Sequence, residues 1–206
     1  MENTSIDLNL FKTVKYETEY LFKDRGSKFI GFVFPIQSEE DFKNKLQEIK
    51  ELHPSCNHHC YAFRLEPDGR TYRYSDDGEP NNSAGKPIYG QLLSAEITNV
   101  GAVVARYFGG TKLGVGGLIH AYKEATRFAI EENEIITTEL KATYSIEYSY
   151  DQTSLINQLV SKFDLEVANT DFGENCISKL RCKLSQIQDL ESYCKESNIP
   201  INRSAL

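Results

Sequence analysis

A valine-rich apolar run from Thr98 to Phe108 ends in a glycine cluster, Gly109-Gly110-Thr111-Lys112-Leu113-Gly114-Val115-Gly116-Gly117. No other segment restricts the fold as strongly. A continuous apolar run of this length, bounded by glycine, suits a strand buried on both faces. Beyond the cluster, Leu118, Tyr122, Ala125 and Ala129 recur at helical spacing, so a long helix follows. A buried strand, a glycine loop and a helix start, in that order, place backbone N–H groups where they can cradle an anion. The pattern is not G-x-x-x-x-G-K-S/T, because Thr111 precedes Lys112, and it is not G-x-G-x-x-G. Both standard nucleotide-binding loops are therefore disfavoured. The competing role for these glycines is a set of tight turns and close packing ahead of the helix.

Charge makes the same segment conspicuous. The chain has 206 residues, with 23 Lys and Arg against 30 Asp and Glu, a net charge of −7. That balance argues against a protein whose whole surface coats nucleic acid, and leaves room for a local basic patch. From Asn99 to Arg127 stand Arg106, Lys112, Lys123 and Arg127 with Glu124 as the one acid, a +3 island to which His120 could add. Arg64, Arg70, Arg73 and Lys86 lie in the same half of the chain. Arg106 interrupts the end of a strand that otherwise buries only carbon. A buried arginine must be paired, and Asp76 or Asp77 is the expected partner.

The rest of the chain reads as two small α+β domains, 1–136 and 137–206, joined near Thr137-Thr138. In the first, Phe29 to Phe34 is a strand. Ser38 caps a helix carrying Phe42, Leu46 and Ile49, which Pro54 closes. Cys60 to Leu65 and Thr71 to Tyr74 form a hairpin around Asp68-Gly69. A polar stretch from Ser75 to Lys86 leads into a short helix at Pro87. The second domain reads β-α-β-β-α-β. Ala142, Tyr144, Ile146 and Tyr148 alternate in its first strand. Asp151 is the expected cap of its first helix, and Ser185-Gln186-Ile187-Gln188 the capping box of its second. Leu165 to Phe172 and Cys176 to Leu184 are strands joined through Gly173-Glu174-Asn175, and Ile199 to Ser204 is a last short strand. That order is ferredoxin-like.

Five cysteines, Cys56, Cys60, Cys176, Cys182 and Cys194, are odd in number and irregular in spacing, which predicts reduced thiols. Cys176 and Cys182 share a strand face with Leu180 and Leu184 and read as packing. Met1 to Ser5 shows no basic and apolar leader, and no apolar stretch reaches about 18 residues. The expected location is the cytoplasm, with no membrane partner.

One constellation admits two chemical readings. His58, Asp76, Asp77 and Glu79, with Cys56, His59 and Cys60 close by, could form a hydrolase-like acid–base group or hold a metal. An acid–base site would bring His58 within about 3.2 Å of Asp76 or Asp77 in an open cleft. The plainer role for Asp76 to Glu79 is a polar loop ordered by carboxylate-to-backbone bonds.

These stretches together resemble the YigZ/IMPACT family. The likeness runs through Ser27-Lys28-Phe29-Ile30, His58-x-Cys60-Tyr61-Ala62 and Arg73 to Pro80. It continues through Ala84-Gly85-Lys86-Pro87-Ile88, Thr98-Asn99-Val100 and Arg106 to Leu118. It covers the first half by motif and the second by position and topology. One departure is Asn81-Asn82-Ser83, where the family carries a Ser-Gly-Thr-like turn. Asn tolerates left-handed backbone, which lets the turn persist. The resemblance implies an N-terminal left-handed βαβ domain like domain IV of elongation factor G, and a C-terminal ferredoxin-like domain like its domain V. Eukaryotic relatives act on translational control, through a partner system and an additional domain.

The sequence therefore supports a non-catalytic RNA- or ribosome-binding protein, with regulation of translation as its setting. Lys86, Arg106 and Lys112 are the expected phosphate contacts. Gly109, Gly110, Gly114, Gly116 and Gly117 shape the loop, and Arg64 and Arg73 give support. No catalytic residue, cofactor or metal is assigned. The hydrolase-like reading on His58, Asp76, Asp77 and Glu79 and a protein-binding adaptor are the alternatives.

Overall fold

The computed structural model describes residues 10–203. The reading of Met1 to Ser5 and the Ser204 end of the last strand lie outside them. The chain divides into two compact units, Met1–Thr138 and Glu139–Leu206.

The first unit runs β1 (Leu10–Val14), β2 (Thr18–Asp24), β3 (Ser27–Pro35), α1 (Glu39–Leu52), β4 (His58–Leu65), β5 (Thr71–Ser75), α2 (Gly85–Ser94), β6 (Val100–Tyr107), α3 (Gly114–Glu131) and β7 (Ile135–Glu139), whose last residue, Glu139, belongs to the second unit. Five strands form one antiparallel sheet in the order β2-β3-β6-β4-β5. β1 and β7, five-residue strands too short for periodicity to mark, pair in a separate two-stranded sheet.

The valine-rich strand β6 is central and buried on both faces, as its composition requires. Side chains alternate across a strand, so its two faces enter two cores. Val100, Ala102 and Val104 pack with Ile88 and Leu92 of α2 and with Leu118, Tyr122 and Ala125 of α3. Val103 and Ala105 pack on the other side with Phe32, Phe34, and Phe42 and Ile49 of α1. Ser38 caps α1 as expected, its Oγ accepting from Asp41 N at 3.0 Å. α3 begins at Gly114, four residues before the first apolar marker, because glycine has no side chain to reveal a period.

The second unit runs β8 (Lys141–Tyr148), α4 (Thr153–Lys162), β9 (Glu166–Phe172), β10 (Cys176–Lys183), α5 (Ile187–Glu196) and β11 (Ile201–Arg203). Its antiparallel sheet has the order β11-β8-β10-β9. Ala142, Tyr144, Ile146, Cys176, Leu180 and Cys182 face Ile156, Leu159, Leu190 and Cys194 of the helices. All five cysteines are free thiols. Both predicted caps differ here. Ser149, not Asp151, begins the first helical segment: its N–H donates to Gln152 Oε1 at 3.1 Å across a 3-10 turn, Tyr150–Gln152. Ser185 is drawn away from its box because its hydroxyl donates to Glu139 Oε1 at 3.0 Å. Leu184 to Gln186 becomes a 3-10 turn, which takes Leu184 out of the strand.

Glycines inside this fold have different tasks, and two separate cleanly. A Cβ on Gly31 of β3 would stand 2.6 Å from the Ala125 carbonyl oxygen of α3, whereas one on Gly90 of α2 would meet no atom within 4 Å. Gly31→Ala therefore forces the helix off the sheet and costs about 1–3 kcal/mol. Gly90→Ala is expected to stabilise by about 0.5–1 kcal/mol. Urea unfolding of the two variants against wild type checks both signs.

Candidate functional site

Strand register sets out the site. Arg106 is paired with Phe29 of β3 on one side and His58 of β4 on the other, so the three stand abreast at the end of the sheet. The chain then turns. Phe108 N donates to Asn57 Oδ1 at 2.8 Å, and Gly109 N to Ser27 Oγ at 3.1 Å. Asn57 N in turn donates to the Arg106 carbonyl at 2.8 Å. Gly109 is required by close approach, because a Cβ there would overlap the Gly26 backbone.

The remaining glycines behave differently. Gly117 packs on Leu113, but a Cβ on Gly110, Gly114 or Gly116 would meet nothing within 4 Å. Gly110 and Gly114 adopt φ of +87° and +74°, which glycine tolerates without strain. Gly116 has neither reason. α3 starts with no side-chain cap at Leu113 and no acid in its first turn. Among the described residues its first N–H groups and the positive end of its dipole are left uncompensated.

In front of this helix start lies a cavity of about 440 Å³. His58, Glu79, Arg106 and Lys112 form its polar side, and Phe108 and Val115 its most exposed apolar wall. Arg106 is buried, at 6% exposure. Its Nη1 donates to Glu79 Oε1, and Tyr122 Oη donates to the same oxygen at 2.8 Å. Cys60 Sγ donates to Tyr122 Oη at 3.3 Å. Among the described residues Arg106 Nε has no acceptor. Its guanidinium carbon lies 5.4 Å from the Phe29 ring centroid and 5.7 Å from that of Phe108. Burial raises the Tyr122 phenol and the Cys60 thiol far above their ordinary range, so both stay protonated donors.

The expected pairing of Arg106 with Asp76 or Asp77 is thus corrected: its partner is Glu79. Both aspartates are committed to the backbone. Asp76 accepts from Asn82 N at 2.8 Å, Ala84 N at 2.9 Å and Gly85 N at 2.8 Å, and so holds the start of α2. Asn82 is left-handed at φ +62°, so the turn at Asn81-Asn82-Ser83 is formed with asparagine. Asp77 Oδ2 accepts from His59 N at 2.6 Å. His58 Nδ1 donates to the Asp77 carbonyl at 2.7 Å, and its Nε2 lies 3.9 Å from Glu79 Oε1. His58 therefore meets neither aspartate carboxylate, contrary to the geometry of the hydrolase-like reading. His59 points away, toward Cys56 Sγ at 3.1 Å. Among the described residues no group of three or more His, Cys, Asp or Glu is arranged to hold a metal.

The other basic residues are dispersed. Arg64 Nη1 donates to the Ile97 carbonyl at 2.6 Å, a structural bond away from the cavity wall. Arg73, on edge strand β5, lies 3.6 Å from Glu39. Lys86 is exposed in the first turn of α2 and does not line the cavity. Arg127 is neutralised by Glu124 and Glu131. Lys112 and Lys123 form no ion pair among the described residues. Asn57, Phe108, Val115 and Tyr122 belong to the site without having been singled out for it. Tyr122 carried a signal, a phenol on an apolar helix stripe, since a buried phenol needs a partner.

Glu79 is the group whose loss matters most to the fold here. Glu79→Ala leaves a buried guanidinium without a counter-charge and is expected to cost about 3–5 kcal/mol. Glu79→Gln keeps the acceptor oxygen and should cost less; guanidinium chloride unfolding ranks the two. Thiol alkylation of the native protein, read by mass spectrometry after digestion, should label half-buried Cys56 first. Cys60, fully buried and held protonated, should react only on unfolding.

Similarity to known proteins follows the same residues. The sequence model of the Impact N-terminal domain matches residues 25–130, from before β3 to the end of α3. An IMPACT family member of Haemophilus influenzae is 34% identical over 156 residues, covering 73% of this chain and 74% of its own. The IMPACT family member YigZ of Escherichia coli is 33% identical over 153 residues, covering 72% and 74%. A solved structure described as that of a hypothetical protein aligns over 96% of this chain and 98% of its own. Its TM-score is 0.68 at 24% identity, which speaks for the fold alone. The matched domain contains every residue of the cavity, and relatives sharing a third of their residues span nearly three quarters of both chains, so the chain belongs to the IMPACT family.

Proposed function

We propose that this chain is a non-catalytic RNA- or ribosome-binding protein acting in the regulation of translation, in the cytoplasm. The observation that carries the reading is the uncapped start of α3 beside Lys112, which no carboxylate neutralises among the described residues, on a cavity that Arg106 also lines. Phosphate oxygens are the acceptors that such a set of donors suits. The translational setting follows family membership, because eukaryotic relatives act on translational control. We read the first unit as the left-handed βαβ fold of elongation factor G domain IV. We read the second as a ferredoxin-like fold of the domain V kind, supported by its strand order β11-β8-β10-β9. His58 and Glu79 serve the binding site in this reading.

Because counterions are released when lysine meets phosphate, binding should weaken steeply with salt. Co-sedimentation with ribosomes and filter binding of bulk RNA, at about 50 and 200 mM salt, measure that slope. Lys112→Ala should weaken binding and reduce the magnitude of the logarithmic slope by about 1. An unchanged affinity and slope would overturn the reading. Lys86→Ala, away from the cavity, shows whether α2 adds a second phosphate contact.

A further inference from the structure

We propose that the β5 edge of the first unit is a stacking platform for single-stranded RNA, with bases on Tyr72 and Tyr74 and backbone phosphate on Lys86. The proposal rests on the RNA-binding reading and adds to it a second contact surface. None of these three residues lines the cavity at the start of α3.

β5 is an edge strand of the five-stranded sheet, and its outer side pairs with no strand among the described residues. Side chains alternate along a strand, so Tyr72 and Tyr74 share one face and Arg73 takes the other. α2 supplies a third ring to the tyrosine face. Tyr89 stacks on Tyr72 with ring centroids 4.7 Å apart and planes at 22°, and on Tyr74 at 5.8 Å and 30°. Tyr89 also packs against the core beneath α2 and so anchors the group. Tyr72 and Tyr74 belong to neither core of this unit, and are 51% and 38% exposed. Burial therefore does not account for the two outer rings. An edge strand in water is ordinarily blunted by charge, not lined with stacked aromatics.

Positive charge lies beside these rings. Arg64 stands opposite Tyr72 in the β4–β5 register, on the same face, and lies beside the Tyr89 phenol. Lys86 precedes Tyr89 by three residues on α2, one turn away, and is exposed. Among the described residues neither cation forms an ion pair. Arg73 meets Glu39 only at 3.6 Å, with both side chains exposed, so solvent screens that pair. The nearby acids are engaged elsewhere. Glu66 and Asp68 meet Arg70 at 2.8 and 2.9 Å, and Asp76 accepts from three backbone N–H groups. A chain of net charge −7 thus sets exposed aromatic rings beside unpaired cations. Single-stranded nucleic acid complements both, because its bases stack on aromatic faces and its phosphates meet cations. A duplex keeps its base faces inside its own stack. A second copy of this chain is the poorer occupant: two β5 strands paired antiparallel about Arg73 would place arginine opposite arginine.

Fluorescence anisotropy of the full chain tests this with a short labelled oligoribonucleotide, single-stranded and annealed to its complement. The single strand should bind more tightly than the duplex. Tyr72→Ala and Tyr74→Ala should each weaken single-strand binding about tenfold. Tyr72→Phe and Tyr74→Phe keep the ring and should retain it. The alanine variants remove no charge, so the salt slope should hold, whereas Lys86→Ala should lower its magnitude by about 1. Melting temperatures of the variants report folding. Photocrosslinking of 4-thiouridine RNA to the wild-type chain, mapped by mass spectrometry to Tyr72 or Tyr74, gives a readout that needs no variant. Alanine variants that bind as tightly as wild type, with no crosslink on β5, overturn the platform and leave the RNA-binding reading standing on Lys112. Duplex binding as tight as that of the single strand also overturns it. So does loss of binding in the phenylalanine variants, which assigns the tyrosines a hydroxyl contact. Tyrosine-dependent self-association in sedimentation, without an effect on RNA, gives the edge to a second copy and overturns it. Binding of neither RNA overturns both readings.

Discussion

The buried ion pair between Arg106 and Glu79 is the interaction around which the first unit is arranged. A guanidinium at the end of a central strand cannot remain in a hydrocarbon core unless its charge is met. Glu79 meets it from the loop between β5 and α2, and Tyr122 of α3 closes the acceptor. Three separate parts of the chain are thereby tied to one carboxylate oxygen. The same arrangement leaves Arg106 partly unsatisfied and facing a cavity, so the requirement of the fold and the chemistry of the site meet in one side chain.

The carboxylates around Glu79 divide the labour. Three acids in four residues look like a catalytic group, yet only one is available to the cavity. Asp76 and Asp77 lie where the chain leaves a sheet edge and reverses toward α2, and there the backbone exposes amides that no ladder can use. Short carboxylates satisfy them, which fixes the loop and so places Glu79. His58 is aligned by a backbone carbonyl for the same reason. A polar loop of this kind keeps its shape through carboxylate-to-backbone hydrogen bonds.

Much of the fold is legible along the chain. The β6 run, the Ser38 cap, the Asp68-Gly69 hairpin and the alternation of β8 each state a local preference that burial reinforces. What local pattern misses has a physical reason in each case. β1 and β7 stabilise one another across more than a hundred residues, and five residues each are too few to establish an apolar period. The Ser185 box is lost to a competing hydroxyl bond to Glu139, a contact invisible from spacing. The +3 island is similarly reduced by Glu79 and by Glu131, acids that lie outside the counted segment.

The sequence by itself determined that a buried strand would deliver a glycine loop to a helix start, that an arginine there would need a counter-charge, and that the chain as a whole would be acidic. These follow from composition, period and charge, which are properties of the chain. Only the tertiary structure decided which carboxylate neutralises Arg106, which glycines are open rather than packed, and that Phe108, Val115 and His58 enclose one cavity. Those outcomes depend on strand register and on which groups arrive together in space. Three acids with equal claim in sequence differ in the fold by which hydrogen bonds are already taken.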